Sequence, residues 1–223
     1  MPLRTTTPIP ITPQPTEFFS VSVEHVEGAL LEESATVAAV AAERDLGVRR
    51  IRQLRSNWCW AACVDMVLDF YGQPEMRQCG IVGKKLHKPC CDDPFNDKYD
   101  VTCDEKDMRG VWTNMGISSR AHLGQPTNDN GWVKPEELVK ELSNKRPVQL
   151  GLKWDGGGGH AIIVQGWKDS SQGLFFLVND PWNWAASQVP EIVNGKGRVH
   201  YDELRDAYGL GKLRWTWSEI DTL

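Results

Sequence analysis

The spacing of apolar residues changes from helical to alternating near the middle of the chain. Three stretches carry apolar residues at three- and four-residue steps, the spacing of one helix face. The first predicted helix begins at Cys59 and ends at Gly72, which suits a left-handed closing position. The second follows Asp104 and ends at Gly116, and the third opens at Pro135. Their apolar positions are Cys63, Met66, Val67, Phe70 and Tyr71; Met108, Val111, Trp112 and Met115; and Leu138, Val139 and Leu142.

The second half of the chain has the period of β-strands. In VQLGLKW, residues 148–154, every second residue is apolar, so these apolar side chains all lie on one side of a strand. HAIIVQGW and LFFLVNDPW are separated by the turn-forming KDSSQG and predict a hairpin, and GRVHY and LRWTWSEI predict further strands. Helices followed by an antiparallel sheet indicate an α+β chain whose two halves meet across a cleft.

The first fifty residues differ from the remainder. Residues 1–16 alternate Pro and Thr and predict an extended arm. The alternating FFSVSVEHV and the alanine-rich EESATVAAVAAERDLG follow, and the latter has a helical composition. We therefore predict an N-terminal extension over 1–50, serving as a pro-segment or cap, and a main folded domain over 51–223. An ordinary packed extension is the alternative.

Composition and charge narrow the classes of partner. The 223 residues carry a formal net charge of -5, which gives no electrostatic support for a nucleic-acid partner. No apolar run approaches the ~20 residues that span a bilayer, so we expect no membrane association. The N-terminus also lacks the apolar core of a signal peptide. The expected location is the cytoplasm, or outside the cell through a specialised secretion route.

Cys59 stands between two tryptophans at a predicted helix start. A thiol is an effective nucleophile only as thiolate, and both a helix N-terminus and a neighbouring imidazolium favour that form. Among the five histidines, His160 follows four glycines at the mouth of a predicted strand. The next strand ends at Asp180, whose carboxylate can hold the second imidazole nitrogen. Each residue alone has an ordinary structural interpretation, but together they predict a catalytic dyad with an orienting carboxylate.

Two further features fit the attack of a thiolate on a carbonyl group. Gln53 lies six residues before Cys59, and its side-chain amide can donate to an oxyanion beside the backbone N–H of Cys59. Gly158 and Gly159 precede the histidine and lack a β-carbon, so we expect a substrate backbone to approach closely there.

The order of these residues resembles that of papain-like cysteine peptidases. The similarity is closest to a bacterial branch that shows N-W-C-W-A-A, a Q-C followed by a C-C pair, G-G-G-G-H-A and D-P-W. The chain carries these motifs at residues 57–62, 78–79, 90–91, 156–161 and 180–182. The resemblance covers roughly residues 50–223, and that branch includes secreted effectors and toxin modules.

This resemblance implies a fold and roles for particular residues. The fold would have an N-terminal helical subdomain and a C-terminal antiparallel β subdomain, with the active site in the cleft between them. Trp60 would pack behind the nucleophile, and Trp182 would shield the histidine–aspartate hydrogen bond. Papain itself has Asn where this chain has Asp180, and the adjacent Asn179 is a competitor for that role.

The expected function is cleavage of peptide bonds through a Cys59 acyl-enzyme, without a cofactor. We expect a protein or peptide substrate, and a cognate inhibitor or immunity protein is a further candidate partner. A role as a secreted effector or toxin, and self-processing, follow from the resemblance. The alternatives are a thiol-dependent transferase or deamidase that acts on a protein, and a cysteine-cluster binding module with an inert papain-like fold.

The remaining cysteines allow several interpretations. Cys63 is expected to fill the core. The other four could form a metal cluster or one or two disulfides, although no C-x-x-C spacing supports zinc. The resemblance favours a structural role for them, in pinning the long loop between residues 85 and 103. These four are Cys79, Cys90, Cys91 and Cys103.

Overall fold

The computed structural model describes residues 42–74, 76–123, 133–182 and 192–223. Its helices are α1 (Cys59–Phe70), α2 (Gln78–Leu86), α3 (Glu105–Asn114), α4 (Pro135–Ser143) and α5 (Tyr201–Arg205). Its strands are β1 (Glu43–Asp45), β2 (Ile117–Leu123), β3 (Val148–Trp154), β4 (Gly159–Ser170), β5 (Gly173–Asn179), β6 (Ile192–Val193), β7 (Lys196–His200) and β8 (Gly211–Thr222). Short 3-10 turns occur at Cys90–Asp92, Asp97–Tyr99 and Ala207–Gly209.

One antiparallel sheet of eight strands organises the described residues. The strand order is β2-β8-β3-β4-β5-β7-β6. The first half of β4 pairs with β3, and residues 166–168 of β4 pair with β1 instead. This register places the start of β4 in the middle of the sheet, beside the end of β3, which pairs on its other side with the start of β8.

Alternation along the central strands divides the core into two layers. Ala161 and Ile163 of β4 face a layer that includes α1, α2 and α3. Leu150 of β3 and Ile162 of β4 face a second layer that includes α4 and α5. The predicted α+β class is therefore confirmed, with helices packed on both faces of the antiparallel sheet.

Most elements predicted for residues 51–223 are present. The helix predictions at Cys59, Asp104 and Pro135 are confirmed by α1, α3 and α4, and the β4–β5 hairpin is also confirmed. The side chain of Asp104 caps α3 by accepting from the backbone N–H groups of Lys106 and Asp107. The prediction missed α2, whose sequence QCGIVGKKL contains two glycines, as well as the strand β2 and the short elements β1, β6 and α5.

The segment before residue 51 differs from its prediction. The predicted alanine-rich helix is wrong at its end, because Glu43–Asp45 form β1 and pair with β4. Val48 is fully buried in the helical layer of the core. Residues 42–50, which the sequence assigned to the extension, thus belong to the folded unit. FFSVSVEHV and the Pro/Thr arm lie outside the described residues.

Candidate active site

Cys59 is the first residue of α1 and is partly exposed. The first N–H groups of a helix have no intrahelical partner, so they present partial positive charge near this thiol. The flanking tryptophans are both buried. The indole N–H of Trp58 donates to the carbonyl of Tyr99 at 2.8 Å, and that of Trp60 donates to the carbonyl of Val101 at 3.0 Å. The tryptophans therefore fasten a loop against the start of α1 and fix the position of Cys59.

His160 occupies the second position of β4 and is bonded to a carboxylate. Its Nε2 atom lies 2.7 Å from Oδ1 of Asp180. His160 is only 6% exposed and Asp180 is fully buried. Its other ring nitrogen, Nδ1, remains available to Cys59, which lines the same cleft and interacts with the imidazole. The Trp154 ring stacks on the imidazole, with centroids 6.1 Å apart.

The environment of His160 favours its charged form. Burial lowers the pKa of the imidazole, but the charge and hydrogen bond of Asp180, followed by the interaction with Cys59, outweigh burial. The net effect raises the pKa of His160 from 6.5 to about 10. An imidazole that keeps its proton at neutral pH is the partner that a thiolate requires.

The corner that carries Asp180 is fixed by backbone contacts. The N–H of Asp180 donates to the carbonyl of Gly195 at 2.7 Å, and the N–H of Trp182 donates to the Asp180 carboxylate at 2.7 Å. The guanidinium of Arg50 donates to the carbonyls of Asp180 and Pro181 at 2.7 and 3.1 Å. Arg50 was not predicted as part of the site, because no local feature of the sequence marks it.

Gly195 leaves room for this arginine. Its φ is +75°, and a β-carbon there would lie 2.3 Å from the Asp180 carbonyl oxygen and 2.5 Å from Nε of Arg50. Arg49 instead forms an exposed ion pair with Asp69 at 2.9 Å. The two neighbouring arginines thus have different surroundings, since Arg50 contacts the corner beside the candidate site and Arg49 pairs with Asp69 at the surface.

Asn179 faces away from the imidazole. It is fully buried, and its side-chain amide donates to the carbonyl of Val48 at 2.8 Å. The structure therefore places the Asp180 side chain, and not that of Asn179, on His160.

Gln53 lies beside the same corner. Its backbone N–H donates to the carbonyl of Pro181 at 3.0 Å. Its side-chain Nε2 donates to the carbonyls of Arg55 and Ser56 at 2.8 and 2.9 Å. In this conformation the amide holds the turn before α1, and service as an oxyanion donor requires it to exchange one of these bonds.

The local backbone structure favours glycine at both positions before His160, whether or not substrate binds there. Gly158 has a φ of +77°, which favours glycine. A β-carbon on Gly159 would lie 2.5 Å from the Leu152 carbonyl oxygen, so the neighbouring strand already requires glycine there. Both nevertheless border the cleft. Trp182 also borders it and is 41% exposed.

Cys59 and His160 face a common cleft of about 350 Å³. Indole rings line much of it, from Trp154, Trp215 and Trp217, together with the side chain of Met108. Gly151 lies beneath Trp215, since a β-carbon there would lie 2.3 Å from the indole. The cleft thus combines a polar thiol–imidazole pair with a largely aromatic wall.

The other cysteines include one disulfide. Cys79 and Cys91 are bonded, while Cys63, Cys90 and Cys103 are free. Burial raises the pKa of Cys63 well above its usual value, consistent with a core role, and burial also raises the pKa of Cys103 to about 12. Within the described ranges, no group of three or more His, Cys, Asp or Glu residues is arranged to hold a metal. No described helix is long and apolar enough to cross a membrane.

Three solved structures are similar to the chain at low identity. A double glycine motif protease from an AMS/PCAT transporter, in complex with its leader peptide, is 16% identical over 81% of this chain and 95% of its own, with a TM-score of 0.47. A structure from work on the mite allergens Blo t 1 and Der p 1 is 15% identical over 88% and 76%, with a TM-score of 0.46. The interpain A cysteine protease of Prevotella intermedia is 12% identical over 80% and 95%, with a TM-score of 0.45.

Sequence comparisons give one family. No curated protein sequence matches the chain. A family model described as the Peptidase_C39 like family matches residues 45–207, a range that contains Cys59, His160 and Asp180. Because this match covers well over half of the chain and includes the whole thiol–imidazole–carboxylate set, the protein belongs to the Peptidase_C39 like family.

Proposed function

We propose that this chain is a cysteine endopeptidase with Cys59 as nucleophile, His160 as proton carrier and Asp180 as orienter. One observation carries the proposal: a buried imidazole, hydrogen-bonded at Nε2 to Asp180, shares a cleft with a thiol at a helix start. Family membership supports the same chemistry. The fully buried Asp180 holds Nε2, which leaves Nδ1 available to the Cys59 thiol.

The reaction follows from this arrangement. The Cys59 thiolate attacks the substrate carbonyl carbon, and the carbonyl electrons move to its oxygen, which the backbone N–H of Cys59 and the Gln53 amide would stabilise. Collapse of this intermediate breaks the C–N bond, and the imidazolium of His160 gives its proton to the leaving amine. Neutral His160 then takes a proton from water, whose oxygen attacks the thioester and releases the acid and the thiolate.

Identification of cleaved bonds tests the proposal. We expect the wild-type protein, incubated with a denatured proteome digest, to generate new N-termini that are absent with Cys59→Ala and present with Cys103→Ala. Cys103 is a matched control because it is also a free thiol at the cleft. Deamidated or amine-linked glutamines without new termini would instead indicate a transferase or deamidase. No change of either kind would favour an inert binding module.

We further propose that the protein acts as a secreted bacterial effector or toxin and that it cleaves its own N-terminal extension. This is supported by the resemblance to an effector-containing branch of thiol peptidases. We place any self-cleavage before residue 42, because β1 and Val48 belong to the core and Arg50 is bonded to the Asp180 corner. N-terminal sequencing of stored wild-type protein and Cys59→Ala tests this, and an intact terminus in both would contradict self-processing.

A further inference from the structure

Three exposed apolar side chains converge on one concavity outside the catalytic cleft. Leu54 is 58% exposed, Phe95 is 68% exposed and Trp182 is 41% exposed. All three line a concavity of about 460 Å³, which we call the Leu54–Phe95 surface. Three other large apolar residues of the described ranges, Val193, Leu210 and Leu223, are also exposed but do not line it. Clustering of exposed apolar side chains is typical of a binding surface.

The backbone that presents these side chains is anchored. The guanidinium of Arg55 donates to the carbonyl of Phe95 and to Asp97, the latter at 2.7 Å, and it lies over the Phe95 ring at 6.0 Å. The N–H of Leu54 donates to the Gln78 side chain at 3.0 Å. Specific contacts therefore hold the backbone at Leu54 and Phe95, which favours a defined binding function.

This surface is continuous with the catalytic cleft. Trp182 and Ser56 line both, whereas Cys59 and His160 line only the cleft. An extended chain that leaves the cleft across Trp182 would next meet Leu54 and Phe95. Substrate is therefore the occupant that this continuity favours.

The chemistry of acyl transfer indicates which end of the substrate lies there. After attack, the carbon carries an oxyanion, a leaving nitrogen and the acyl chain. The oxyanion would face the Cys59 N–H, and the Gln53 amide once it exchanges one of its bonds, while the nitrogen must face His160 to receive a proton. Trp182 borders the Leu54–Phe95 surface, and its N–H donates to the Asp180 carboxylate that holds His160, so the leaving segment departs in that direction. The acyl chain takes the remaining direction, along the aromatic cleft.

We infer that the Leu54–Phe95 surface binds an apolar side chain of the substrate segment that follows the scissile bond. This inference rests on the proposed peptidase function and specifies its substrate: a polypeptide with a bulky apolar residue among the first few positions after the cleaved bond. Removing one apolar side chain from water contributes enough free energy to change kcat/KM by about tenfold to a hundredfold.

Three substrates test the inference; they share the same segment before the cleaved bond and differ after it. The first ends in a coumarin amide and has no residues after the cleaved bond. The second continues for eight residues that include Leu and Phe, and the third has Ser at those apolar positions. For the wild-type protein we expect the second to exceed the third in kcat/KM by about tenfold or more.

Variants then locate the preference. Phe95→Ser and Leu54→Ser should reduce kcat/KM for the second substrate to the value for the third, without changing kcat/KM for the coumarin amide. Val193→Ser is the matched control, because Val193 is 65% exposed and lies away from the surface. Thermal melting checks that the variants are folded.

Several results would overturn the inference. Equal kcat/KM values for the second and third substrates in the wild-type protein would contradict a leaving-segment site while leaving the peptidase function intact. An equal loss of kcat/KM on all three substrates in Phe95→Ser would do the same. An equal rise of kcat/KM on all three in Phe95→Ser would indicate that another part of this chain, or a second copy, covers the surface. Failure of the wild-type protein on every substrate would remove the proposed function itself.

Discussion

The carboxylate of Asp180 is fully buried and lies 2.7 Å from the His160 imidazole. Since burial alone would lower the pKa of His160, the raised value of about 10 depends on this partner and on Cys59. In Asp180→Asn we therefore expect the pKa of His160 to fall, because the desolvation remains and the charge is lost. The alkaline limb of the kcat/KM profile, where His160 loses its proton, should move to lower pH.

A control at the adjacent residue makes this measurement specific. Asn179→Ala removes an amide that bonds to Val48, so it should leave the alkaline limb in place even where it lowers stability. A limb that moves in Asn179→Ala and stays in Asp180→Asn would show that the wrong residue has been assigned as orienter.

Arg50 is a positioning residue, since it contacts the carbonyls of Asp180 and Pro181 and not the reacting atoms. Arg50→Met removes both contacts and should lower kcat/KM by roughly ten- to a hundredfold, the cost of misplacing a catalytic group. Arg50→Lys should restore part of the loss. Arg49→Met is the matched control, because Arg49 pairs with Asp69 at the surface. Equal activity in the Arg49 and Arg50 variants would contradict this role.

Gln53 presents two roles that can be separated. If its amide turns toward the oxyanion, Gln53→Ala should lower kcat by on the order of 10²–10³ with little change in KM. If it only holds the turn through Arg55 and Ser56, the free energy of unfolding should fall and kcat should change little. We predict the first result. Parallel kinetics and urea unfolding measure both, and an unchanged kcat would remove Gln53 from the site.

Among the elements, the Cys79–Cys91 disulfide joins α2 to the segment that leads to Phe95. Its loss in the double variant Cys79→Ser/Cys91→Ser should lower the free energy of unfolding by about 2–4 kcal/mol. Reductant should destabilise the wild-type protein and leave the double variant unchanged. Cys103→Ser, which removes a free thiol, should retain the response to reductant. A wild-type protein insensitive to reductant would contradict a stabilising disulfide.

Elements with a clear local signal could be predicted from the sequence. Asp104 before an apolar periodic stretch predicted α3 together with its cap, and the alternation of VQLGLKW predicted β3. In contrast, β1 is three polar residues whose strand conformation depends on pairing with β4. The pairing of Cys79 with Cys91 likewise depends on the approach of two segments in space, which spacing alone does not determine.

At the scale of the whole molecule, the sequence placed Cys59 at a helix start and His160 at a strand start, because both have local signals. It favoured Asp180 and left Asn179 as a competitor, since successive residues point to opposite sides of a strand and the tertiary structure shows which side holds the imidazole. Arg50 was missed for the same reason, as its contacts lie about 130 residues away along the chain. The Leu54–Phe95 surface also exists only in the folded chain.

The central claim is that folding brings Cys59 and His160 together as a thiolate–imidazolium pair. The most direct test is the rate at which iodoacetamide alkylates Cys59 between pH 5 and 9, followed by peptide mass mapping in the wild-type protein and His160→Ala. Cys103 is the internal reference, since burial raises its pKa to about 12. We predict that Cys59 is alkylated faster than Cys103 throughout this range, and that His160→Ala lowers the Cys59 rate at neutral pH by roughly ten- to a hundredfold, because no imidazolium then stabilises the thiolate. A Cys59 rate no higher than that of Cys103, or one unchanged in His160→Ala, would contradict the account.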